Sequence, residues 1–183
     1  MNLIHIKDMF TIGINRAFFK FNPTILFWQD IELWESEKNK LKTLKSIRVC
    51  HPKGDPLRRF FHFETKGPSF ARPTNTSLLY GRGSTGALAV QFAYALGCSP
   101  IYLIGMDCVV SDGMTDFFGK NQTWKEHSQS VCMTGLEWIN REFKNEKIIN
   151  ISSYPHMLNE ILTKYKSHAK GIEYYKKILI GDS

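Results

Sequence analysis

Two short runs limit what this chain can fold into: Phe10-Thr11-Ile12-Gly13-Ile14-Asn15 and Thr24-Ile25-Leu26-Phe27-Trp28-Gln29-Asp30 are apolar almost throughout, and each ends on a polar residue. A strand with one wet face alternates apolar and polar side chains. A strand apolar on both faces must be covered on both, as in a parallel sheet with helices above and below it. Between the two runs, Arg16 to Phe21 predicts a short helical link, closed by the turn signal Asn22-Pro23. Ile31 to Leu44 places Leu33, Trp34, Leu41 and Leu44 among charges, as a surface helix does, and Ser46 to Cys50 follows as a third strand.

The remainder keeps the alternation. His51 to Pro56 reads as loop, Phe60 to Glu64 as an outer strand, and Thr65 to Asn75 as irregular chain rich in proline and glycine. A helix capped by Ser84 or Thr85 runs to Leu96, Gly97 supplies a left-handed stop, and Ile101 to Asp107 is a strand. A polar loop from Ser111 to Lys125, a helix from Ser128 to Phe143, a strand from Ile148 to Ser152 and a helix from Pro155 to His168 complete the pattern. Strands alternating with helices predict one α/β sandwich domain over residues 1–183, with a mostly parallel sheet.

Length and composition agree with that reading. A chain of 183 residues buries a core without staples, and 43% hydrophobic against 22% charged residues marks it as globular. No apolar run reaches the roughly 18 residues of a membrane helix. The start, MNLIHIKDMF, lacks the features of a secretory signal, so a cytoplasmic location is expected. The cysteines Cys50, Cys98, Cys108 and Cys132 form no CxxC pair and read as buried thiols rather than as a disulfide or zinc framework. A net charge of +7 favours anionic partners, although its densest patches, Lys38 to Arg48 and Lys164 to Lys177, read as solvated helix faces and no nucleic acid is expected.

In open α/β sheets, ligands bind beyond the carboxyl ends of the strands. Asn15, Asp30 and Asp107 end predicted strands at that edge, and Gly81-Arg82-Gly83-Ser84-Thr85-Gly86 stands at the mouth of an apolar helix. Unpaired amides and the helix dipole attract an anion there, and small residues let it approach. The same glycines also suit an ordinary capped helix packed closely on a sheet. The pattern is neither GxGxxG nor GxxxxGK[ST], so a nicotinamide enzyme or a P-loop NTPase is not indicated.

The segment STGALAVQFAYALGCSPIYLIGMD resembles the core motif of the bacterial lipooligosaccharide sialyltransferases. It is also similar to the related motility-accessory-factor and hydroxymethylpterin diphosphokinase-like proteins, and FTIGINRAF resembles the second strand of both groups. The resemblance implies a Rossmann-like three-layer sandwich that binds a nucleotide or nucleotide-sugar donor and a glycan-type acceptor. Asn15 would contact the sugar or phosphate of the donor, and Gln29 or Asp30 its ribose or a donor hydroxyl. Gly83, Ser84, Thr85 and Gly86, with Arg82 alongside and Asp107 at the next strand tip, would hold the donor carboxylate or phosphate. His127, in Glu126-His127-Ser128-Gln129, resembles the general base that takes a proton from the acceptor hydroxyl. The resemblance begins at the family's second strand, so a chain lacking the first strand and its phosphate loop is expected. Val109 and Phe117 or Phe118 stand where the family has phosphate-neutralising tyrosines, which points away from CMP-sialic acid as donor.

Other readings stay open beside this one. A magnesium-dependent diphosphotransferase acting on a pterin-like alcohol would use Asp107, Asp112 and Asp116 as oxygen ligands. A noncatalytic remnant of the fold, homo-oligomeric through its exposed sheet edges, would keep the sheet without the chemistry. No resident metal or cofactor is expected outside the magnesium reading. His5, His51, His62, His156 and His168 show no metal spacing and read as satisfied or surface residues.

Overall fold

The computed structural model describes residues 6, 9–81, 83–106, 126–151 and 179. Four strands, β1 (Ile12–Ile14), β2 (Ile25–Trp28), β3 (Ile47–Cys50) and β4 (Phe61–His62), form a parallel sheet in that order. Ile14 stands opposite Phe27, Phe27 opposite Val49, and Cys50 opposite His62. Beyond β4, Phe63 donates its amide to Cys50 O at 3.2 Å and Glu64 donates to Ser77 O at 2.8 Å. Residues 61–66 therefore hand their pairing from β3 to a further strand: β5 (Glu64–Lys66) pairs in parallel with β6 (Leu78–Tyr80). A separate parallel pair joins β7 (Ile101–Leu103) to β8 (Ile148–Asn150).

Side chains alternate across a strand, so β2 feeds two cores at once. Ile25 and Phe27 join Ile47, Val49, Phe63 and Leu79 against Leu88 and Phe92 of α2 (Thr85–Ala95). Leu26 and Trp28 join Cys50 against Leu33, Trp34 and Leu41 of α1 (Ile31–Thr43). All four β2 residues are buried on both faces. The chain is thus an α/β fold with helices on both faces of a parallel sheet, compatible with a Rossmann-like sandwich.

α2 is apolar nearly all round because it is covered on two sides. Opposite the sheet, its Ala87 and Val90 meet Leu103 of β7, Trp138 and Ile139 of α3 (Glu126–Glu142), and Phe143 just beyond. α3 approaches through Gly135: a Cβ there would lie 2.7 Å from Ser84 Oγ and 3.0 Å from Ala87 Cβ. One polar side chain of α2 is also fully buried, for a backbone reason. Gln91 Oε1 accepts from Tyr80 N at 2.8 Å and its Nε2 donates to Tyr80 O at 2.7 Å, so the amide serves the end of β6 as another strand would. Gln91→Leu keeps the bulk and orphans both groups. Unfolding in urea should show it less stable by about 2–4 kcal/mol, at roughly 1–3 kcal/mol per unsatisfied buried group.

Three sequence expectations need correction. β6 lies in a stretch without strand signals, and β5 enters the one read as irregular, because three-residue strands carry too few side chains to display a period. The Ile101 to Asp107 strand is regular only as far as Leu103, since the chain bends at Ile104 and Gly105, the latter at φ +70°. Cys132 is disulfide-bonded, whereas Cys50 and Cys98 are free thiols. Spacing along the chain does not report which sulfurs the fold brings together. The loop expected at Ser111 to Lys125 and the helix expected at Pro155 to His168 lie outside the described residues. Among the described residues no helix is long and apolar enough to cross a membrane.

Candidate functional site

The carboxyl edge of the sheet gathers the ends of neighbouring parallel strands. Asn15 follows β1 directly and opens a 3-10 turn, Asn15–Phe19. Its φ is +48°, a left-handed value that asparagine tolerates better than most side chains. Its Oδ1 is buried and has no hydrogen-bond partner. A buried carbonyl in that state costs free energy unless something supplies a donor. Gln29, half-buried, and Asp30, at the start of α1, follow the neighbouring β2 on the same edge. Asp30 makes no side-chain capping bond. It is exposed as a whole residue, yet the walls around its carboxyl withhold water, and this, with repulsion from Glu32, pushes its pKa above the usual carboxylate value.

The mouth of α2 adjoins the end of β1. A Cβ on Gly86 would lie 3.9 Å from Ile14 Cδ1 and 2.5 Å from Met106 Cε. A side chain there would touch Ile14 at ordinary contact distance and would displace the flexible end of Met106. Gly83 has φ +91°, and a Cβ on it would meet Val131 Cγ1 of α3 at 2.6 Å. Ser84 is the N-cap: its Oγ accepts from the Ala87 amide at 3.2 Å, and its carbonyl accepts from Leu88 N at 3.1 Å. The amides of Thr85 and Gly86, in the first turn, have no partner within the helix. Ser84 and Thr85 are themselves buried, at 6% and 7% exposure, so neither hydroxyl stands in an open cleft. The structure therefore brings Asn15, Gln29 and Asp30 to one edge and the start of α2 beside the first of these. Arg82 and Asp107 lie outside the described residues, and His127 enters only as backbone in the first turn of α3.

A second constellation on the same edge escaped the sequence reading. Cys50 ends β3, His62 ends β4, and they are register partners on adjacent parallel strands. Between them the chain makes a 3-10 turn, Pro52–Gly54, and returns Asp55 over both. The turn is pinned by Trp28, whose Nε1 donates to Gly54 O at 3.0 Å, and by His51, whose Nδ1 accepts from Lys53 N at 3.2 Å. Burial, helped by the charge on Lys53, lowers the His51 pKa from its ordinary value. Asp55 is fully buried. Its Oδ2 accepts from the Phe60 amide at 3.0 Å and from the Arg59 amide, and lies 3.3 Å from His62 Nε2. Its Oδ1 has no hydrogen-bond partner, with Arg59 Nε 3.7 Å away as an ion-pair contact. One donor atom each from Cys50, Asp55 and His62 falls within 4.8 Å of the others. Burial, with the Asp55 carboxylate adding repulsion, pushes the Cys50 thiol well above its usual pKa. The residues are spaced irregularly and belong to no motif, so only strand register and the turn join them. Compared with family models, curated proteins and solved structures, the chain matches none.

Proposed function

We propose that the carboxyl edge of the sheet binds the nucleotide part of a sugar donor, and that the protein acts as a nucleotide-sugar-dependent, glycosyltransferase-like enzyme. The observation that supports this most is the buried, unpartnered Oδ1 of Asn15, set in a left-handed backbone beside the mouth of α2. A ribose hydroxyl or a base amino group would supply the missing donor, and the amides of Thr85 and Gly86 would donate to a phosphate oxygen. Asp30, whose pKa is raised, would accept a hydroxyl of the ribose or sugar once ionised. In this reading His127 removes the acceptor proton as the acceptor oxygen attacks the anomeric carbon and the nucleoside phosphate departs with the bonding pair.

The test is a thermal-shift panel of cytidine, uridine, guanosine and adenosine phosphates on the parent chain and on Asn15→Gly. Glycine accepts φ +48° and removes the orphaned carbonyl, so the variant should melt no lower than the parent and should lose at least about tenfold in nucleotide affinity, one hydrogen bond to a charged or buried group being worth about 1.5 kcal/mol. Failure of every nucleotide to raise the melting temperature sinks the reading. A noncatalytic module is the competing account, and it is favoured by α3, whose Val131 and Gly135 sit against Gly83 and Ser84. It expects no nucleotide shift at all. A magnesium requirement in phosphate transfer would instead favour the diphosphotransferase.

A further inference from the structure

We propose that Cys50, Asp55 and His62 form a binding site for a divalent metal ion of borderline softness, with Zn²⁺ as the fitting ion. Thiolate, carboxylate and imidazole are the three donor types that zinc accepts in proteins, and three of them leave a fourth position for a water or a ligand oxygen. Tetrahedral zinc, about 2.0–2.3 Å from its ligands, holds donors roughly 3.5 Å apart. Asp55 Oδ2 lies 3.3 Å from His62 Nε2, so the carboxylate already stands beside the imidazole, and the three donor atoms all fall within 4.8 Å of one another. Closing the set to that spacing asks the most distant pair of donors to approach by no more than about 1.3 Å.

Independent support comes from Asp55 Oδ1, an atom of a fully buried side chain with no hydrogen-bond partner. Arg59, 3.7 Å away, balances part of its charge without satisfying its lone pairs. Binding expels the Cys50 thiol proton to solvent, and the thiolate and the Asp55 carboxylate then match the two charges of the ion. Trp28, opposite Cys50 in register, and Phe60, edge-on to Trp28, wall off the inner side. The side chain of His62 is 21% exposed and marks the outer side, where the fourth position opens.

The experiment is titration of the chelator-stripped full chain with Co²⁺, followed by displacement with Zn²⁺. One equivalent should produce a thiolate-to-cobalt charge-transfer band that Zn²⁺ removes. Cys98→Ser, the change at the other free thiol among the described residues, should keep the band, and Cys50→Ser should abolish it. His62→Gln should weaken Zn²⁺ binding by more than about tenfold, since even outer-shell partners carry losses of that size. His62 is partly exposed, so this variant keeps the test decisive if the buried Cys50→Ser change impairs folding. No band in the parent chain, a band that follows Cys98 rather than Cys50, or unchanged affinity in a folded His62→Gln protein would each overturn the site. The outcome is independent of nucleotide binding, which involves other residues of the edge.

Discussion

Phe27→Ala should lower the unfolding free energy by about 3–5 kcal/mol, the range for emptying a buried phenylalanine site. Phe27 has no solvent exposure and stacks on Phe63 with ring centroids 4.5 Å apart, and Phe92 of α2 meets it at 5.3 Å. The void would lie where three elements converge, β2, α2 and the segment between β4 and β5, each held by its own backbone bonds. Collapse around the void is therefore restricted, and the cavity cost adds to the lost transfer energy. Against a typical total of about 5–15 kcal/mol this is a large fraction, and the melting temperature should fall by roughly 6–20 °C. Calorimetry checks it. A drop of under about 4 °C would mean that the two faces of the sheet are far less tightly packed than described.

Asp55→Ala should also be a large loss, about 2–3 kcal/mol in chelator-stripped protein. The carboxylate binds the amides of Arg59 and Phe60, faces His62 and pairs with Arg59, and so ties the strand entering β4 to the turn leaving β3. Removing it leaves two amides without their acceptor, partly offset because the orphaned Oδ1 disappears as well. Asp55→Asn separates charge from acceptor capacity: it can still accept from the amides and should cost about half as much. Equilibrium denaturation of both variants measures the difference. If alanine is tolerated within about 0.5 kcal/mol, the loop is held by the Trp28–Gly54 and His51–Lys53 bonds without Asp55.

The main sheet was legible in the sequence because its strands announce burial. Ile25 to Trp28 is four apolar residues in a row, and a run of that kind has no stable place except between two layers. Ser84 and Gly97 marked the two ends of α2 for equally local reasons, one accepting a first-turn amide and the other adopting a left-handed φ of +76°. The edge that collects Asn15, Gln29 and Asp30 follows from the same reasoning, since parallel neighbours end on the same side.

The state of those residues was not legible. Ser84 and Thr85 suggested hydroxyls offered to a ligand, but whether they meet solvent depends on α3, which approaches across Gly135, about fifty positions further along the chain. The disulfide at Cys132 and the joining of Cys50, Asp55 and His62 are of the same kind. By itself the sequence determined which segments must be buried and where helices begin and stop, because those depend on period, propensity and capping over a few residues. Only the tertiary structure decided which polar atoms lie side by side and which stay unpaired, because that depends on strand register and helix approach between segments whose separation along the chain carries no local signal.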